Sequence, residues 1–118
     1  MIQLKRVYDK PKTGDGKRFL VERLWPRGIR KTDLRMDGWQ KEAAPSNDLR
    51  KWFSHDPEKW TEFRHRYLQE LNSRADSLDP LLEAARQGPV TLLYSSHDEE
   101  HNNAVALKQF LEAKLHCH

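Results

Sequence analysis

Ile2, Leu4 and Tyr8 fall among polar neighbours in near alternation, which predicts a first strand over residues 2–8. Phe19, Leu20 and Val21 make a short apolar run that predicts a second strand over 18–24. Val90-Thr91-Leu92-Leu93-Tyr94 is nearly apolar throughout and predicts a third, over 90–95. Continuous apolar character of that kind belongs to a strand buried on both faces, as in a parallel sheet covered on both sides. The Val90 strand is therefore expected at the centre of the sheet, parallel at least in part to the strand ending at Arg23.

Between these runs the period changes to that of helices. Ser46 is a good N-cap, and Leu49, Trp52 and Phe53 share one face, giving a helix over 47–54. His55-Asp56-Pro57 stops it and starts another, with Asp56 as cap and Pro57 in the first helical position. Trp60, Phe63, Tyr67 and Leu71 then form a stripe that carries this helix over 57–74. Ser77-Leu78-Asp79-Pro80 opens a helix over 78–87, closed by Gln87-Gly88-Pro89, and Ala104, Leu107, Leu111 and Leu115 line one over 103–115. Spacing puts Trp52, Phe53, Trp60, Phe63, Leu71, Leu82, Leu92, Phe110 and Leu111 on inward faces.

Two segments resist this reading. Lys10–Lys17 holds Pro11 and Gly14-Asp15-Gly16 and is too short for a helical crossover. The first two strands are thus either a loose antiparallel hairpin or separated by another strand. Residues 29–46 lack a clean period and read as an ordered loop with room for one helical turn; a loop this long in a compact domain is more often functional than idle. The expected fold is a single small α/β domain over 1–118, a short mixed or mostly parallel sheet flanked by about four helices.

Composition narrows the function classes. At 118 residues, 36% hydrophobic and 33% charged, the chain supports one modest core. No apolar run approaches the ~20 residues of a membrane span, and the N-terminus has no signal-peptide pattern. The single cysteine, Cys117, excludes an internal disulfide and fits the cytoplasm. The net charge of +3 is mild, and its densest basic cluster, Arg23, Arg27, Arg30, Lys31 and Arg35, is balanced by Asp33 and Asp37. A local anion site suits that balance better than a broad nucleic-acid surface.

The candidate chemistry gathers at strand ends and helix starts. After the second strand come Glu22, Arg23, Trp25 and Arg27, with Pro26 stiffening the backbone and Gly28 permitting a turn. After the last come Tyr94, Ser95 and Asp98, leading to His101-Asn102-Asn103 at a helix start. In open α/β sheets ligands sit beyond the carboxyl ends of the strands, where helix N-termini converge. Arg23, Trp25, Arg27, Ser46, Tyr94, Ser95 and Asn103 are accordingly the candidate ligand-binding residues, and Asp98 with His101 the candidate acid–base pair. Each has a plainer alternative: Arg23 as a structural bridge to a carboxylate, Trp25 as core, Ser46 as a cap, Asp98 as first-turn acidic bias, and His55 as the closure of the preceding helix. No P-loop, G-x-G-x-x-G, H-E-x-x-H or zinc pattern is present, so neither cofactor nor metal is expected. His116-Cys117-His118 holds ligand-type residues, but three consecutive side chains at a chain end do not converge on one ion.

The segments Leu20–Gly28, Ala44-Pro45-Ser46, Leu49–Phe53, Thr91–Tyr94 and Asp98–Ala104 together resemble the YeaO-like branch of the family named domain of unknown function 488. The resemblance spans nearly the whole chain and implies a small cytoplasmic bacterial α/β domain; it implies no reaction. Such proteins often carry aspartate where this chain has Glu22. Longer relatives in the broader family carry a cysteine and a Cys-His-Arg triplet where this chain has Tyr94 and His101-Asn102-Asn103, so thiol chemistry does not transfer.

Two principal readings follow. One is an enzyme acting on a phosphorylated or nucleotide-like small molecule by general acid–base chemistry. The other is a non-catalytic module that senses a small anion or contacts nucleic acid. A partner-binding surface built from the four tryptophans ranks behind both.

Overall fold

The computed structural model describes residues 1–116. Four strands, β1 (Ile2–Arg6), β2 (Lys17–Leu20), β3 (Gly38–Trp39) and β4 (Val90–Tyr94), form one sheet in the order β1-β4-β2-β3. Every neighbouring pair is parallel. The helices are α1 (Asn47–Phe53), α2 (Trp60–Ser73), α3 (Asp79–Gln87) and α4 (Asn103–His116). Cys117 and His118, two members of the His116-Cys117-His118 tail that was not expected to converge on one ion, lie outside the described residues. Among the described residues no helix is long and apolar enough to cross a membrane.

β4 is buried along its whole length between β1 and β2, as its apolar run predicts. Of the two arrangements open for the first strands, the second is realised: β4 separates them. The chain therefore returns from the end of β1 to the start of β2 without a helix. The Gln3 amide donates to the Gly14 carbonyl and Lys5 Nζ to the Lys10 carbonyl and the Asp15 carboxylate, so one face of β1 guides the return. At its end Gly16 takes φ +64°, and a Cβ there would collide with the Pro89 carbonyl oxygen, the group that accepts the first hydrogen bond of β2 from Lys17.

Alternation assigns the two faces. Phe19, Val21, Val90, Leu92 and Tyr94 enter a core shared with all four helices, which lie on one side of the sheet. Leu20 and Leu93 turn to the other side and pack with Val7 and Leu34 under Trp25, Ile29, Met36 and Trp39. No helix covers that second face among the described residues. The long segment from Val21 to Gln40 does so instead, and it includes β3, which was expected to be loop. β3 is only two residues long and carries no alternation of its own. It is held by ladder bonds from Asp37 N–H to the Arg18 carbonyl and from Gln40 N–H to the Leu20 carbonyl.

Two expectations need correction. β2 ends at Leu20 as a regular strand rather than near residue 24, because beyond Val21 the chain swerves towards Pro26. Trp52 and Trp60 are half-buried against the core instead of within it. Both are amphipathic: Lys59 Nζ and the Arg66 guanidinium lie over the Trp52 ring, and Trp60 meets the His101 ring edge-on at 5.5 Å. Phe53, Phe63, Leu71, Leu82, Leu92, Phe110 and Leu111 are buried as expected.

Candidate functional site

Past the carboxyl end of β2, residues 21–23 are fixed from every side. Val21 N–H donates to the Leu93 carbonyl at 3.2 Å, and the Val21 carbonyl accepts from Asn103 Nδ2 at 2.7 Å. The Glu22 carbonyl accepts from Trp39 Nε1 at 2.6 Å. The Glu22 carboxylate reaches the end of β4, where its Oε1 accepts from Ser95 N–H at 2.9 Å and from Ser95 Oγ at 3.3 Å. Among the described residues Arg23 bridges no carboxylate; its guanidinium donates to the Pro45 and Ala44 carbonyls at 3.0 and 3.3 Å. Trp25 is locked as well, with its indole N–H on the Ile29 carbonyl at 2.6 Å and its ring edge-on to Trp39 at 5.3 Å.

Glu22, Arg23 and Trp25 form one wall of a crevice of about 480 Å³. Small-molecule sites commonly enclose roughly 300–1,000 Å³. Arg27 and Tyr8 stand at its mouth, joined by a hydrogen bond from the Tyr8 hydroxyl to the Arg27 carbonyl at 2.9 Å. The opposite wall comes from Ala44, Pro45, Arg50, Phe53 and His55, around α1 and its end. Ser95, Ser96, His97, Asn102 and Asn103 close it from the β4 side. Arg6 steadies that side by donating to the Ser96 and Ser95 carbonyls at 3.0 and 3.3 Å.

Charge in the crevice is uneven. Among the described residues the Arg27 and Arg50 guanidiniums make no ion pair within 4.0 Å, and the Nε of Arg50 is buried with no acceptor. Glu22 is the only carboxylate in the lining among the described residues. Burial pushes its carboxyl above the usual range, against the Ser95 hydrogen bonds and the Arg50 charge, which pull it down. A buried donor without an acceptor costs on the order of 1–3 kcal/mol, so Arg50 keeps hydrogen-bonding capacity that the protein itself leaves unused.

Of the residues singled out in the sequence, the structure brings Arg23, Trp25, Arg27, Ser95 and Asn103 together in this lining. Ser46, Tyr94, Asp98 and His101 do not line it. Ser46 Oγ caps α1 by accepting from Leu49 N–H and donates to Glu70 Oε2 at 2.6 Å, so its hydroxyl is engaged within the fold. Tyr94 is a buried strand residue in the helix-side core. Asp98 Oδ1 accepts from the Glu100 and His101 amides, each at 2.9 Å, and Oδ2 sits 3.0 Å from His101 Nδ1. The Glu100 amide, then the His101 amide, hold that carboxyl below its usual range. The candidate acid–base pair thus shapes the turn into α4. Asn102, not Asn103, caps that helix, accepting from Val105 N–H at 3.1 Å.

In the sequence, Glu22 and Asn102 stand in the candidate clusters without a ligand role, His55 reads as the closure of the preceding helix, and Arg50 is not singled out. His55 follows Ser54 in a second consecutive left-handed residue, φ 58° after 47°, which turns the chain out of α1 beside the crevice. Its Asp-Pro neighbours had made it look like punctuation only. Glu22 had a readable signal, an acid at one strand end facing a serine at the next; Arg50, four residues into a capped helix, had none.

Comparison with known proteins identifies the family of the chain. A family model described as the inactive DUF488-N3 subclade matches residues 1–118. The uncharacterised protein YeaO of Escherichia coli is 46% identical over 112 residues, covering 95% of this chain and 97% of its own. Uncharacterised proteins of Mycobacterium bovis and Mycobacterium tuberculosis are each 38% identical over 113 residues, covering 96% of this chain and 95% of theirs. No solved structure gives a significant match.

Proposed function

This chain belongs to the DUF488 family, in the subclade described as inactive DUF488-N3, and from that premise we propose that it is a non-catalytic module that binds a small anion in the crevice beyond β2 and β4. The observation that carries the reading is the pair Arg27 and Arg50, two guanidiniums in one lining that make no ion pair within 4.0 Å among the described residues. Guanidiniums present planar forked donors suited to carboxylates and phosphates. The backbone beside them is held by the bonds of Val21, Glu22 and Arg50, so little backbone freedom is lost when an anion enters. Trp25, Pro26 and Phe53 add apolar walls for an organic portion.

The catalytic alternative is weaker on the same geometry. Asp98 and His101 are bonded to one another outside the lining, and Ser46 is engaged by Glu70. The lone cysteine, Cys117, supports a cytoplasmic setting.

Thermal-shift titration with phosphate, small carboxylates and nucleoside monophosphates tests this. A ligand at a hundred times its Kd adds about 2.7 kcal/mol of stability. The reading expects at least one of these anions to raise the melting temperature and Arg27→Ala to remove that rise while leaving the unliganded melting temperature in place. If no anion stabilises the protein, or if the rise survives Arg27→Ala unchanged, the reading fails.

A further inference from the structure

We infer that the crevice selects a tetrahedral oxyanion that still carries a proton, hydrogen phosphate or the monoanion of a phosphate monoester, and rejects sulfate, with Glu22 as the selecting group. This rests on the anion-binding reading and adds the ligand's chemical class.

Arg27 and Arg50 alone would accept any small anion. Glu22 changes the requirement, because its carboxylate stands in the same lining. An ionised carboxylate has only acceptors. Oε1 is already served by the amide and hydroxyl of Ser95. Oε2 receives a hydrogen bond from no described residue. An oxyanion without a proton would bring oxygen against oxygen there, unpaired and of like charge. An oxyanion with one proton donates it to Oε2 and turns its remaining oxygens to the guanidiniums. Hydrogen phosphate keeps a proton through neutral and mildly alkaline pH, whereas sulfate has none. Ser95 holds Glu22 in this attitude through two bonds, so the acceptor is set before the ligand arrives. The crevice volume of about 480 Å³ and the walls of Trp25 and Phe53 leave space beside the anion, which the free ion would leave to water and a monoester would fill.

The experiment is calorimetric titration of the full chain with inorganic phosphate, sulfate and ribose 5-phosphate, on wild type and Glu22→Gln. Wild type is expected to bind phosphate roughly 10- to 100-fold more tightly than sulfate, the worth of one hydrogen bond to a charged group. Glu22→Gln supplies a donor where the carboxylate accepted, and is expected to bring the two anions within about threefold of each other by gaining sulfate. A phosphate monoester loses its second proton at about pH 6, so ribose 5-phosphate is titrated at pH 6 as well as pH 7. Tighter binding than inorganic phosphate at pH 6 identifies an organic phosphate as the ligand, and the reverse identifies the free ion. Equal binding of phosphate and sulfate to wild type overturns the inference and leaves the anion reading standing. Failure of all three anions to bind overturns both. The wild-type ratio alone decides the matter if Glu22→Gln does not fold.

Discussion

Glu22 and Ser95 join the ends of two central strands, the carboxylate Oε1 accepting the Ser95 amide at 2.9 Å across the mouth of the sheet. The acid is therefore both a clasp between β2 and β4 and a wall of the crevice, and its protonation is linked to folding. Burial raises its folded-state value above the ordinary 4.5. The folded chain then holds that proton more tightly than the unfolded chain. The resulting stability is fully present below pH 4.5 and is lost as the pH climbs through the raised value. Glu22→Gln keeps an acceptor for Ser95 and removes the titration. Its melting temperature, followed against pH from 4 to 8, should fall less than that of wild type over the window above 4.5. Parallel profiles would show that Glu22 is not buried as described.

Asp15 titrates in the opposite sense. It accepts from Lys5 Nζ at 2.8 Å, from the Lys12 amide at 3.0 Å and from the Arg18 guanidinium. The Lys5 hydrogen bond is the main cause that holds its carboxyl down to about 2, against its burial. Its contribution is present above the ordinary 3.8 and is lost as the pH falls from there towards 2. Asp15→Asn leaves two inward cations without their partner and should cost about 3–5 kcal/mol at neutral pH, as removal of one member of a buried pair does. Urea denaturation at pH 7 and pH 3 checks this: the gap between variant and wild type should narrow at pH 3.

Ser46 marks the boundary of the site. Its hydroxyl caps α1 and meets Glu70. Ser46→Ala should cost about 1–2 kcal/mol of stability through the lost cap and leave the stabilisation by anions unchanged. A Ser46→Ala protein of full stability that no longer responds to anions would place that hydroxyl in the crevice after all.

Much of the fold was legible because burial and local geometry agreed. Val90–Tyr94 is apolar on both faces and lies at the centre, and Ser46, Asp56 and Pro80 stand at the helix starts that their chemistry favours. β3 was not legible, since two residues paired to β2 leave no period in the sequence. Nor was the covering of the second face by the segment around Leu34 and Trp39, which depends on long-range packing. Trp52 and Trp60 share a helical stripe with buried neighbours, yet cation and ring-edge contacts hold them at the surface margin.

The site was legible in part for a similar reason. Strand ends announce themselves, so Arg23, Trp25, Arg27 and Ser95 could be found. The roles of Asp98 and His101 depend on which hydrogen bonds the turn into α4 consumes. The contribution of Arg50 depends on how α1 is placed beside the crevice beyond β2. Neither is encoded locally.

An anion is expected among Arg27, Arg50 and Glu22. Amide chemical shifts of the isotopically labelled protein, recorded as inorganic phosphate is added, test it most directly. Saturable shifts are expected at residues 22–27, around Arg50 and His55, and at Ser95–His97, all absent in Arg50→Met. Shifts gathered instead around Lys12, Arg35 and Asp37, which line a second hollow near the start of β2, would contradict it.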